Sequence, residues 1–448
     1  MSSSFSWQEY GTINWNKDSY SLFGSELVLS SEGKIAAVVG NGYISLFQDK
    51  GGVWSQIGED INSQSKSISL SEDGSIIAVG DGDNDKVMVY KYVNGTWGNL
   101  GNEIIRPSLV NIQGRTLERS TAFGNSISLS NDGLTLAIGA YLHPHEYEET
   151  GWGTYIPFGN VEVYKFDGSE WKKYGDEIIP YPDIHETFTD ESLKYRIREG
   201  LFPEFGRKVS LSGDGKILAV GSPGESFNRG KVQVYKEESN KWVLNAEFTD
   251  DEQFDYFGSE LALSDDGNTL AISSNVFVNG KEEIEIYQSN NNIWSKVDKD
   301  IEAQTEDSNS SGQFALSLSA DGSIVAIGDP NNFGNEHWLQ NWERGNVRIF
   351  ENKNGEIIQI GEDIDGDQKR GRLGYDVSLS DKGNLIAIGE PWFDHLSWTG
   401  SQSVDTGKGR VKFFKLNYFT IDISSHEIHK SYNLNKIRDY DGNLHGNK

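Results

Sequence analysis

The chain has 448 residues, a formal net charge of −28, no cysteine, 50 glycines and 12% aromatic residues. That charge repels a polyanion, so nucleic acid is excluded as an expected partner, and the absence of cysteine excludes disulfides and thiolate metal sites. No apolar run approaches the roughly 18 residues that span a bilayer, and the opening MSSSFSWQEYGTINW carries neither a basic nor an apolar leader region, so neither membrane insertion nor a secretory signal is expected.

The first patterned segment, Trp7 to Gly11 (WQEYG), matches later segments such as WSQIG at 54–58 and WKKYG at 171–175. Next comes a frame that recurs seven times: an alternating segment ending Leu-Ser, a tight turn, a hydrophobic segment ending Ala-x-Gly, and a third segment ending in an aromatic residue. The anchoring leucines are Leu29, Leu70, Leu129, Leu211, Leu263, Leu318 and Leu379. An alanine follows each one eight residues later, from Ala37 to Ala387, with a turn glycine between them, from Gly33 to Gly383. Glycine suits a tight hairpin where φ turns positive. The third segments end at Phe47, Tyr90, Tyr164, Tyr235, Tyr287, Phe350 and Phe414, and Trp54, Trp97, Trp171, Trp242, Trp294 or Ile357 opens a fourth. Four short strands per repeat, seven times over, predict an all-β, seven-bladed β-propeller of four-stranded antiparallel blades. The seventh repeat lacks its fourth strand, so the N-terminal segment is expected to supply it and close the ring over residues 1–417. Residues 418–448 read as a polar C-terminal tail.

Let the strands be A to D from the axis outward. The A–B and C–D turns then leave one face, and the B–C and D–A loops leave the other. The A–B turn keeps a constant span in all seven blades and the C–D turn in the six that have one, whereas B–C loops lengthen at 140–159, 329–345 and 390–409, and a D–A loop lengthens at 179–204. Length variation sorted onto one face predicts binding there. Aromatic residues and histidines gather in those loops: Trp152, Tyr155, His337, Trp338, Trp342, Trp392, Phe393, His395 and Trp398 are the candidate ligand-binding residues. Blades 1 and 2 have short loops, so a groove is expected there between taller neighbours.

The repeat FGxxxSLSxDGxxxAIG followed by GxVxVY resembles the FG-GAP-like propeller repeats, related in frame to integrin α-subunit propellers. It is similar also to tandem repeats of marine microbes, algae and their viruses. The resemblance covers roughly residues 5–416 and implies the propeller fold, with adhesion or surface binding as the usual function. The Phe-Gly pair stands at Phe23-Gly24, Phe123-Gly124, Phe205-Gly206 and Phe257-Gly258. It reads as lost in blade 2 (Ser65-Lys66) and altered at Phe314-Ala315 and Leu373-Gly374. The integrin-type calcium loop is not matched. The nearest carboxylate groups are Asp81, Asp83 and Asp85, and Asp363, Asp365 and Asp367, which are weak calcium candidates; no cofactor is otherwise expected. The Asp-box of propeller sialidases is absent, and no hydrolase or phosphate-loop motif appears.

The expectation is therefore a non-enzymatic binding scaffold that recognises a glycan or protein surface through the variable face, in adhesion or receptor binding. A structural assembly module, for example a virion or surface-complex component made in the cytosol, is the alternative, and a propeller glycosidase is the third.

Overall fold

A computed structural model of the protein describes residues 3–15, 22–65, 67–106, 109–112, 115–118, 120–147, 154–180, 202–250, 255–274, 283–297, 299–302, 314–332, 344–353, 355–393, 397–398, 403–404, 408–420, 437–438 and 444–445. Each sequence frame forms one antiparallel blade, and the seven blades make the predicted propeller. The A strands are Leu27–Leu29, Ser67–Leu70, Ser126–Leu129, Lys208–Leu211, Leu261–Leu263, Ala315–Leu318 and Val377–Leu379. Blade 2 shows the order: Ser67–Leu70, Ile76–Asp81, Lys86–Val93 and Thr96–Asn99 pair in sequence from the axis outward.

Blade 7 closes as the sequence predicts. Ser3–Asn14 pairs antiparallel with Arg410–Thr420, with Trp7 opposite Leu416 and a bulge between Glu9 and Gly11. The Arg410–Thr420 strand runs past the expected propeller boundary, and Tyr418 pairs with Arg438.

The A–B hairpins follow one chemical recipe. In all seven, the hydroxyl of the serine after the anchoring leucine accepts the N–H five residues on, as Ser71 does from Ile76 at 3.0 Å. The turn glycine has φ between +62° and +70°, the left-handed region that an L side chain resists. A Cβ on it would also strike the first B-strand side chain of the preceding blade, as Gly133 would strike Ile76.

These turns meet at the axis in a closed ring of backbone hydrogen bonds. The Ser31 N–H donates to the Glu72 carbonyl (3.0 Å), Glu72 to Asn131 (2.9 Å), Asn131 to Gly213 (2.9 Å) and Gly213 to Asp265 (2.9 Å). Asp266 continues to Ala320 (3.1 Å), Ala320 to Asp381 (2.9 Å), and Asp381 returns to Ser31 (2.9 Å). The ring satisfies groups that an inner edge would otherwise leave unpaired. Serine hydroxyls reinforce it from the side: the N–H groups of Leu29, Leu129, Leu211, Leu263 and Leu379 donate to Ser378, Ser69, Ser128, Ser210 and Ser317 of the preceding blade. In blades 1 and 5, Val28 and Ala262 stand at that place and have no hydroxyl to offer.

At the rim, Trp7, Trp54, Trp97 and Trp171 each sit on the outer glycine of the blade before, whereas Trp294, whose preceding blade has Ala246 at that place, donates its indole N–H to Asn245. Trp97 covers Gly58, Trp171 covers Gly101, Trp54 covers Gly11 and Trp7 covers Gly361. The indole N–H groups of Trp171 and Trp7 donate to the carbonyls of Leu100 (2.8 Å) and Ile360 (2.9 Å). These tryptophans are inter-blade packing. Flat rings need a partner without a Cβ for such close approach, which explains the W-x-x-x-G spacing.

Candidate functional site

The Phe-Gly pair is a key that fits the preceding blade. Phe23, Phe123, Phe205 and Phe257 are fully buried. In blades 3, 4, 6 and 7 two glycines form the lock. The carbonyls of Phe205 and Gly206 lie where Cβ atoms on Gly159 and Gly139 would be, and the same holds for Phe257-Gly258 on Gly230 and Gly221, Leu373-Gly374 on Gly345 and Gly328, and Phe23-Gly24 on Gly409 and Gly389. Blade 2 varies the lock, because Asp85 replaces the second glycine. It takes φ of +50° and is 1% exposed. Its carboxylate accepts the N–H groups of Thr121 (2.9 and 3.0 Å) and Phe123 (3.0 Å) and the Thr121 hydroxyl (3.0 Å).

The lock of blade 1, Gly40 and Gly42, receives no such key. Counted from the start of the A strand, the positions of Phe123 and Gly124 fall in blade 2 on Gln64 and Ser65, one residue earlier than the sequence reading placed the loss. The Tyr43 ring covers Gly40 instead, and Gly42 faces only the Gln64 amide, whose nitrogen would lie 3.2 Å from an added Cβ. A cavity of about 350 Å³ opens at this junction, lined by Gly42, Asn62, Ser63, Gln64, Val79, Asp81, Asn84, Lys86, Met88 and Tyr90. It lies on the B–C and D–A loop face between blades 1 and 2, where the short loops predict a groove. Of the sequence-predicted residues it includes only Asp81. The signal that finds it is a missing Phe-Gly pair, which marks an inter-blade seam left unfilled.

A second feature on this face belongs to blade 7. Trp392 meets Tyr375 edge-on at 4.9 Å, and the Arg372 guanidinium lies 4.8 Å from its ring centre. Phe393 carries Arg410 at 3.7 Å. Arg410 is itself held by the fully buried Glu390 and by Asp367, with Lys412 also on Asp367 at 3.1 Å. Burial pushes the Glu390 carboxyl up, against the pull of Arg410, and pushes the Asp367 carboxyl the same way, but the Lys412 hydrogen bond and Arg410 outweigh it there and hold that group below the usual range. Trp392 and Phe393 are thus brought together with two arginines. Trp152, His337, Trp338, Trp342 and His395 lie outside the described residues. Tyr155 and Trp398 fall in short strands, Thr154–Pro157 and Ser397–Trp398, described by backbone alone.

Four of the six calcium candidates have partners within the protein. Asp81 accepts from the Asn84 amide at 2.8 and 3.0 Å and faces Lys86 at 3.9 Å. Asp363 accepts from Gln359 at 2.6 Å, Asp367 holds Arg410 and Lys412, and Asp85 holds the Thr121 turn. Asp83 and Asp365 remain at the surface of their turns. Among the described residues no group of three or more such side chains is placed to hold a metal.

Charged side chains also meet at the axis. Asp376 and Glu26 accept the N–H groups of Leu27 (2.6 Å) and Ile68 (2.8 Å) in the next inner strands, and Lys208 pairs with Glu260 at 2.6 Å. Burial, reinforced by the Asp376 charge, pushes Glu26 up to about 8. Burial pushes Asp376 up to about 7, against the Leu27 N–H and the Lys208 ammonium. Burial works against the Lys208 charge, yet Glu260 beside it keeps that ammonium above its ordinary value. Lys208 keeps 38% of its side chain accessible, so the cluster is open to solvent on that side.

No protein-family model matches the sequence, and neither does any curated protein. Solved structures do share the fold. Hydrazine synthase of Kuenenia stuttgartiensis is 12% identical with a TM-score of 0.52, over 83% of this chain and 94% of that one. The Cps50 (Swd1) β-propeller domain of Myceliophteria thermophila is 11% identical with a TM-score of 0.54, over 91% of this chain and 99% of that one. At such identities the likeness is one of fold: the chain is a seven-bladed β-propeller.

Proposed function

We propose that this propeller is a non-enzymatic binding scaffold that presents its B–C and D–A loop face to a glycan or protein surface, in adhesion or receptor binding. The observation that carries the reading is the asymmetry of the two faces. One is closed by the hydrogen-bonded ring of A–B turns, and the other holds the Trp392 and Phe393 platform under its arginines and the inter-blade cavity. Aromatic rings with adjacent guanidinium groups suit a sugar face or a protein hot spot. The axial carboxylates support a non-catalytic role, because Glu26 and Asp376 each tether the next inner strand. The part the Phe-Gly pair plays between blades supports kinship with FG-GAP-like repeats.

The test compares the full chain with a variant whose loops at 333–343 and 394–407 are replaced by short Gly-Ser turns, on a glycan array and in affinity capture. Binding to a glycan or a stoichiometric protein that the variant loses supports the reading. Capture of a protein alone assigns the assembly role. Equal binding by both chains removes the long B–C loops of blades 6 and 7 from consideration.

A further inference from the structure

We infer that the cavity between blades 1 and 2 is a binding site for one neutral, hydroxyl-rich ring of hexose size. The inference rests on the binding-scaffold reading and narrows it to a second, smaller site. Three observations converge on it. The first is origin: this seam has the double-glycine lock of its neighbours at Gly40 and Gly42, but Gln64 and Ser65 stand where the next blade would supply Phe and Gly. A polar side chain therefore replaces the apolar plug of Phe123, Phe205, Phe257 and Phe23, and the seam opens to about 350 Å³, at the small end of ligand pockets (roughly 300–1,000 Å³).

The second is hydrogen-bonding capacity. Among the described residues the side-chain amides of Asn62 and Gln64 have no hydrogen-bond partner, and both are exposed at the mouth. Each offers donors and acceptors together, which matches vicinal hydroxyls that donate and accept at once. The Tyr90 ring, half-buried, and the Met88 thioether supply the apolar side that the face of a sugar ring requires.

The third is charge, which selects among ligand classes. Lys86 is the cation of the cavity, and it already stands 3.9 Å from Asp81 and 3.6 Å from Glu103. An anionic ligand would have to compete with two carboxylates for one ammonium, and a cationic ligand would have to displace it. A neutral polyol does neither.

The experiment is saturation-transfer NMR on the full chain with glucose, galactose, mannose and N-acetylglucosamine, followed by titration. At least one sugar is expected to bind with a dissociation constant on the order of millimolar, as a few exposed hydrogen bonds permit. Gln64→Phe combined with Ser65→Gly restores the plug and should abolish the signal while raising the melting temperature. Asn62→Ala with Gln64→Ala, both at exposed positions, keeps the fold and should weaken binding about tenfold. The inference is overturned if none of the four sugars binds, or if either variant, folded by circular dichroism, binds as the parent does. Loss of the loops at 333–343 and 394–407 should leave sugar binding in this cavity intact. The cavity can therefore fail while the loop-face reading stands, and the reverse.

Discussion

The indole N–H of Trp7 donates to the carbonyl of Ile360 at 2.9 Å, so the strand that completes blade 7 is anchored to blade 6 as well. One N-terminal strand thus closes the ring covalently distant from its sheet partners at 410–420 and fills the rim beside Gly361. Trp7→Ala should cost about 2–3 kcal/mol, somewhat below the value for a fully buried tryptophan, read as a lower urea midpoint. Removing residues 1–14 should do more, exposing the edge of Arg410–Thr420 and producing aggregation detectable by light scattering. A chain that stays monomeric and equally stable without this strand would contradict the clasp.

The A–B turns tolerate little change. Gly133 has φ of +70°, and a Cβ there would lie 2.8 Å from the Ile76 side chain. Gly133→Ala should lower stability by about 1–2 kcal/mol from backbone strain alone. One residue inserted between Asp132 and Gly133 should cost more, because it breaks the Glu72–Asn131–Gly213 stretch of the axial ring. The same insertion in the 81–85 turn's exposed middle, at Asp83, should cost less than either. Urea melts of the three variants check the order.

Asp85 stands where other blades carry glycine, and its carboxylate satisfies buried donors of the next blade. Asp85→Ala should leave the Thr121 and Phe123 N–H groups without partners and cost about 3 kcal/mol. Addition of calcium or of EDTA should move the melting temperature of the parent chain by less than about 1 °C, since RT ln(1 + [L]/Kd) vanishes for a ligand that does not bind. A calcium-dependent rise would restore the Asp81–Asp85 turn as a cation site.

Stability should respond to pH at the axis. Glu26 and Asp376 at the axis, and Asp329 at the end of the Ile324–Asp329 strand, have folded values raised by burial to about 8, about 7 and about 6. Each is above its unfolded value, so the native state binds more protons between roughly pH 4 and 8, and stability falls as pH rises through that window. The melting temperature should therefore be higher at pH 5.5 than at pH 8.5. Glu26→Gln with Asp376→Asn keeps an oxygen for the Ile68 and Leu27 N–H groups and should flatten the profile. General repulsion from the charge of −28 remains in that variant, so the difference isolates the axial pair. An unchanged slope would show the pair to be ionised throughout.

Most of the fold was legible because its rules are local. Alternation at period two, the serine and glycine of each A–B turn, and the W-x-x-x-G spacing are all satisfied within a few residues or in the adjacent blade at the same frame position. That is why seven blades and the N-terminal clasp could be read from Leu29, Gly33, Trp54 and their equivalents. The fixed span of the A–B turns was also legible, but not its cause. The ring from Ser31 to Asp381 supplies that cause: closure itself holds those turns to length.

What the tertiary structure alone decided is which residues meet across a seam. Gln64 lies opposite Gly42, Asp85 serves Thr121 and Phe123, and Glu26, Lys208 and Asp376 share the axis, although these partners are separated by tens to hundreds of residues. Repetition in the sequence states what each blade is made of. The sequence marks the seam where Phe-Gly is lost, but only the packing of one blade on the next shows that a polar cavity results there, because the glycine lock it would fill belongs to the neighbour and not to the repeat.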